Sequence, residues 1–199
     1  MQKNFRKSLQ SFAVFPVMAA NLILSPMLGG IGSPTAVVIS PETNRPLSSV
    51  VASNKKADHA IKAKKIDAYF AKYDLPLSGY GEELVSAAEK YDLPWPLIAA
   101  VAMQESTGGK FACRADRENM WGYGSCKGVN FESVEQGIEV VARTIAAQSP
   151  GTKRFYENRS LEERLRVYNG RAVANYSESV HWIMEQIENM PTNVQLAEA

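Results

Sequence analysis

The chain has almost no net charge: 22 basic and 21 acidic residues leave a formal balance of +1. A general nucleic-acid binder would carry a strong basic excess, so that partner is not expected. Histidine is scarce. Only His59 and His181 occur, and neither sits at ligand spacing from the cysteines. No metal site is expected, and no cofactor is implied. No internal repeat is visible. Beyond the first segment, no run is apolar enough to span a membrane.

Cysteine is limited to Cys113 and Cys126, both in one polar, glycine-containing stretch. In an exported chain a close even pair is most simply a disulfide. Two free thiols are the alternative.

Charge is also missing from a whole segment. After Lys3, Arg6 and Lys7, no charged residue occurs from Ser8 to Pro41. A basic start before an apolar run reads as a secretory signal, with an uncleaved membrane anchor as the rival reading. Pro16, Asn21 and Pro26 interrupt the run and weaken the anchor reading. The expectation is a signal peptide or anchor over residues 1–33 and a flexible linker over 34–60. A helical domain over 61–190 and a tail over 191–199 follow. The protein would be exported to the cell envelope or beyond it, with a membrane tether as one alternative. Removing the three leader cations leaves 19 of the 22 basic residues against 21 acidic, about −2.

The linker is rich in Ser, Pro, Asn and Thr and ends in a basic run, "NKKADHAIKAKK", read as a solvated face. Helical spacing then recurs. Ile66, Tyr69, Phe70 and Tyr73 share one face, and Leu84, Ala87, Ala88 and Tyr91 another. A third helix starts near Trp95-Pro96 and ends at Glu105. Residues 107–131 have no helical period and hold Gly108, Gly109, Gly122, Gly124 and Gly128, which marks an irregular or hairpin lobe. Val134, Ile138, Val141 and Ile145 form the next stripe, and Ser133 with Gln136 has the capping-box pattern. A helix over "SLEERLRVYN" and another bearing Tyr176, Val180, Ile183, Met184 and Ile187 complete six. The fold class is mainly α, with one small irregular lobe.

Glu105 ends an apolar helix on the wrong charge. It continues the stripe of Leu97, Ile98 and Val101. Partial desolvation there raises a carboxyl's pKa, and a helix C-terminus repels an anion. Both favour a protonated acid near neutral pH, as general-acid catalysis requires. An ordinary helix end is the competing explanation.

Three motifs follow in order: "QES" at 104–106, "NMWG" at 119–122, and "FESVEQGIEVVARTI" at 131–145 ahead of Tyr156, Tyr168 and Tyr176. Over residues 66–188 this order resembles the endo-β-N-acetylglucosaminidase family (glycoside hydrolase family 73) of the lysozyme-like superfamily. "YNGRAVANY", 168–176, is also similar to a segment of the related lytic transglycosylases, although the G-L-M-Q stretch of those enzymes is missing.

The resemblance implies a single lysozyme-like domain that cleaves β-1,4 bonds at N-acetylglucosamine in peptidoglycan glycan strands. It makes Glu105 the acid that protonates the leaving oxygen. Trp121 would line the sugar groove, while Asn119 and Gly122 would shape the turn beside the acid. Tyr168 and Asn169 would orient Glu105 or the N-acetyl group. Ser106, Tyr123 and Tyr176 are further site candidates. A second carboxylate, if used, would be Asp116, Glu118 or Glu132. Attack by a group of the substrate itself is the alternative.

Three other readings stand beside this one: a lytic transglycosylase giving anhydro products, a non-catalytic glycan-binding wall module, and a disulfide-stapled interaction domain. No oligomer signal is visible, so a monomer is expected.

Overall fold

The computed structural model describes residues 47–113, 117–170 and 173–192. The leader, about half of the linker, Asp116 and most of the tail lie outside them. Among the described residues there are seven α-helices, a short 3-10 turn and no strand. The helices are α1 (Leu47–Lys72), α2 (Gly81–Lys90), α3 (Leu97–Ser106), α4 (Val134–Ile145), α5 (Lys153–Tyr156), α6 (Leu161–Tyr168) and α7 (Tyr176–Glu188). None of these helices is long and apolar enough to cross a membrane. Among the described residues, the lobe between α3 and α4 is irregular, with no hairpin.

The core is built around α3. Every residue from Leu97 to Ala102 is fully buried. A helix that is apolar all round belongs inside a bundle, and α3 packs most extensively against α7. Three alanines in this span, Ala99, Ala100 and Ala102, leave room for close neighbours. In the last turn Met103 and Gln104 are half-buried, Glu105 is exposed and Ser106 is buried again. Glu105 does not extend a one-sided stripe, as expected from spacing; it stands on the open side of the last turn of a helix whose residues 97–102 are buried all round.

The amphipathic stripes of α4 and α7 are buried at the expected positions. Ser133 accepts from the Gln136 N–H at 3.3 Å, as the N-cap pattern predicts. The return bond differs: Gln136 accepts from the Glu132 N–H, one residue earlier. A complete capping box forms instead at α6, between Ser160 and Glu163.

Helix α1 begins well before residue 61, so 47–60, read as the end of a flexible linker, are helical. Residues 48–58 are all exposed. Packing starts near Ala63, and Ile66, Tyr69 and Phe70 reach the core. Tyr73, expected on the same face, lies one residue past the helix end and is exposed. Helix α5 is a single turn in a stretch read as a connection.

Helices α1 and α2 meet closely. A Cβ on Gly81 would fall 2.2 Å from the Ala63 carbonyl oxygen, so only glycine fits. Asp67 on α1 accepts from the N–H groups of Gly79 and Gly81 at 2.8 and 2.9 Å, capping the neighbouring helix. Lys90 and Tyr91 both donate to Glu139, joining the end of α2 to α4.

Candidate active site

Glu105 opens into a cleft of about 610 Å³, also lined by Gly122, Tyr123, Cys126, Thr144, Tyr156, Tyr168 and Asn169. The walls come from α3, α4, α5, α6 and the irregular lobe. The carboxylate is reached by solvent through the cleft mouth, yet the surrounding protein strips much of its hydration. That burial pushes its pKa up, against a smaller opposite effect from the Tyr176 hydroxyl.

The two carboxylate oxygens have different surroundings. Oε1 accepts from the Tyr176 hydroxyl at 2.5 Å. Oε2 faces the Gly122 backbone, where a Cβ would lie 3.0 Å away. Tyr176 is itself buried, and its pKa is driven far up by desolvation and by the charge of Glu105. It therefore stays a hydroxyl donor holding Oε1, and Oε2 is left on the Gly122 side. Thr107 caps α3 in the left-handed conformation (φ 53°), and the Thr107 and Gly108 N–H groups cover helix carbonyls behind the acid.

"NMWG" builds the wall opposite, each residue in a different way. Asn119 is fully buried, and its amide clamps the turn by donating to the Tyr123 carbonyl and accepting from the Tyr123 N–H, both at 2.9 Å. The Met120 carbonyl accepts from Ser106 Oγ at 2.5 Å. Trp121 is fully buried and its indole donates to the Ile98 carbonyl at 3.0 Å. Gly122 takes φ 61° against the acid, a conformation that needs glycine.

Several expectations change here. Trp121 does not line the groove. Its ring is a core anchor, because the indole fills space beneath α3 and Gly137 of α4. Ser106 and Asn119 do not line the cleft either; their polar atoms are satisfied by backbone groups that fix the lobe. Tyr168 lines the cleft, but its hydroxyl donates to the Trp121 carbonyl at 2.9 Å. Orientation of Glu105, expected from Tyr168, falls to Tyr176. Burial drives the Tyr168 pKa well up, so it too remains protonated.

Gly122, Tyr123 and Asn169 line the cleft. The Tyr123 hydroxyl lies 3.2 Å from Thr144 Oγ1, and the Asn169 amide donates to the Val173 carbonyl at 3.2 Å. Thr144, Thr152 and Tyr156 were not singled out for the site. Tyr156 is buried, with its pKa pushed up to about 12 by desolvation. Thr144 carried a faint signal as a polar residue three positions from Val141, beside the α4 stripe.

Cys113 and Cys126 form a disulfide, Cα–Cα 5.4 Å. It ties the start of the lobe to the turn at Tyr123–Cys126, where Gly124, Ser125 and Cys126 all have positive φ. Backbone held in such conformations is over-determined by its surroundings; here the disulfide and the Asn119 clamp supply the restraint.

Among the described residues that line the cleft, Glu105 is the only carboxylate. Glu118 and Glu132 are not among the lining residues, and Asp116 lies outside the described residues. No cluster of metal-ligating side chains occurs among the described residues. No family model, curated protein or solved structure matches the chain.

Proposed function

We propose that the protein is an exported glycosidase that cleaves β-1,4 bonds at N-acetylglucosamine in peptidoglycan, with Glu105 as general acid. The observation that carries this reading is the Glu105 carboxyl itself: desolvated in an open cleft, held at Oε1 by Tyr176, and free at Oε2 beside Gly122. Export rests on the basic, then apolar, leader. The choice of substrate rests on the resemblance of residues 66–188 and on a cleft with room for sugar rings.

The chemistry divides between the two oxygens. Glu105 donates its proton to the glycosidic oxygen as the bond from that oxygen to C1 breaks. The proton leaves with the alcohol product, and positive charge develops at C1. The carboxylate then formed is the state that the Tyr176 hydroxyl favours, so this hydrogen bond strengthens during the reaction. Burial favours the protonated acid beforehand; the tyrosine accommodates the charge afterwards.

A lone carboxylate supports attack by a group of the substrate. The acetamido oxygen can capture C1, and water then opens that intermediate to a reducing N-acetylglucosamine end. The same observation favours a second reading, in which the C6 hydroxyl of N-acetylmuramic acid closes on C1, gives its proton to the Glu105 carboxylate just formed, and leaves an anhydro end. Digestion of purified peptidoglycan followed by mass spectrometry distinguishes the two. New ends are expected with the native protein and not with Glu105→Gln. If the native protein releases nothing, or the variant is as active, the proposal fails.

A further inference from the structure

A second groove, of about 440 Å³ and separate from the Glu105 cleft in its lining residues, lies where α3 ends and α7 begins. It is lined by Gln104, Asn175, Glu178, Ser179 and Trp182. Gln104 and Asn175 immediately precede Glu105 and Tyr176, the hydrogen-bonded pair of the cleft. The same two segments therefore carry both grooves.

Trp182 is 60% exposed, although the opposite face of α7 is packed into the core. The Gln104 amide, the Glu178 carboxylate and the Trp182 indole N–H have no hydrogen-bond partner among the described residues. A flat aromatic surface is thus framed by unused donors and acceptors. An apolar helix docked here would strand those groups without partners, at a desolvation cost. A polyanion would meet Glu178 with no cation among the lining residues. A pyranose meets neither objection: its C–H face lies on the indole, and its hydroxyl and acetamido groups pair with the amide and the carboxylate.

We infer that the Trp182 groove is a glycan subsite, holding an N-acetylated sugar of the same strand beyond the bond presented to Glu105. The inference rests on the proposed glycosidase reading for its substrate class. Trp182 contributes binding that is equal in ground and transition states, so its loss acts on affinity and KM more than on kcat.

The test uses Glu105→Gln protein, which holds substrate without turnover. Calorimetric titration with a β-1,4-linked N-acetylglucosamine hexamer is compared in E105Q, E105Q/W182A and E105Q/W182Y. Trp182→Ala should weaken hexamer binding about tenfold, the equivalent of ~1.4 kcal/mol, and Trp182→Tyr should restore most of it. A trimer, with fewer rings to spread over both grooves, should respond less. Unchanged hexamer affinity in the Ala variant, or no hexamer binding at all, overturns the subsite. Trp182-dependent hexamer binding together with an inactive native protein would keep the subsite and defeat the catalytic reading instead.

Discussion

The Tyr176 hydroxyl donates to Glu105 Oε1 at 2.5 Å, joining residues 71 positions apart. This bond favours the ionised acid, whereas burial favours the protonated one, and burial is the larger influence. Tyr176→Phe removes the weaker, opposing influence. The pKa of Glu105 should then rise further, moving the alkaline limb of the pH–rate profile to higher pH. Turnover at the optimum should fall by roughly 10²-fold, because the carboxyl loses its orientation. A limb displaced to lower pH would contradict the assignment.

Glu105 should also cost the fold stability. Its pKa is raised in the folded state, so the native protein holds that proton more tightly than the unfolded chain does. The resulting stabilisation is fully present below the unfolded carboxyl's range and is lost as pH rises through the folded pKa. Above that pH the cleft carries a poorly hydrated charge. Glu105→Gln should therefore melt at a higher temperature than the native protein at neutral and alkaline pH. The two should converge on acidification, as thermal denaturation across pH would reveal.

Gly122→Ala tests the opposite wall. The new Cβ would sit 3.0 Å from Glu105 Oε2, on a backbone at φ 61°. The left-handed backbone should cost about 1–2 kcal/mol in urea denaturation. Displacement of the carboxyl should lower kcat by roughly 10²-fold, well beyond what the lost stability explains. Normal kcat in the folded variant would show that the wall is further from the acid than described.

Trp121 separates core from groove. Trp121→Ala should destabilise by about 3–5 kcal/mol, the cost of emptying a large buried site. A groove residue would instead lose substrate affinity with little change in stability. Chemical denaturation and substrate titration of the same variant tell the two apart.

The disulfide gives a further handle. Reduction, or Cys113→Ser with Cys126→Ser, should cost about 3 kcal/mol by the chain-entropy estimate for a loop of this size. Cys126 lines the cleft, so turnover should fall at temperatures where the reduced protein is still folded. Equal activity with and without a thiol reductant would mean that the Asn119 clamp holds the lobe alone.

Where local pattern carries the information, the helices are legible in the amino-acid order. Val134, Ile138, Val141 and Ile145 recur at the helical period, and so do Tyr176, Val180, Ile183 and Ile187; both sets are buried. The start of α1 was not legible. Residues 48–58 bury nothing, so they display no apolar stripe, and their Ser, Asn and Lys content resembles a tether. Composition likewise gave no direction to Trp121, because an indole suits a sugar groove and a core equally well. Only the acceptor at Ile98 and the space beneath α3 send it inward.

The amino-acid order by itself determined the helical class, the acid at the end of an apolar helix and the close cysteine pair. Each is a matter of neighbours a few positions apart, where 3.6-residue periodicity and turn chemistry act. Tertiary structure decided which tyrosine reaches Glu105. Tyr168 and Tyr176 flank the same short connection, and either could have turned toward the acid. The packing of α7 on α3 brings the Tyr176 hydroxyl to the carboxylate, while α6 aims Tyr168 at the Trp121 carbonyl. A hydrogen bond depends on where two helices lie in space, and residue order alone does not specify that distance.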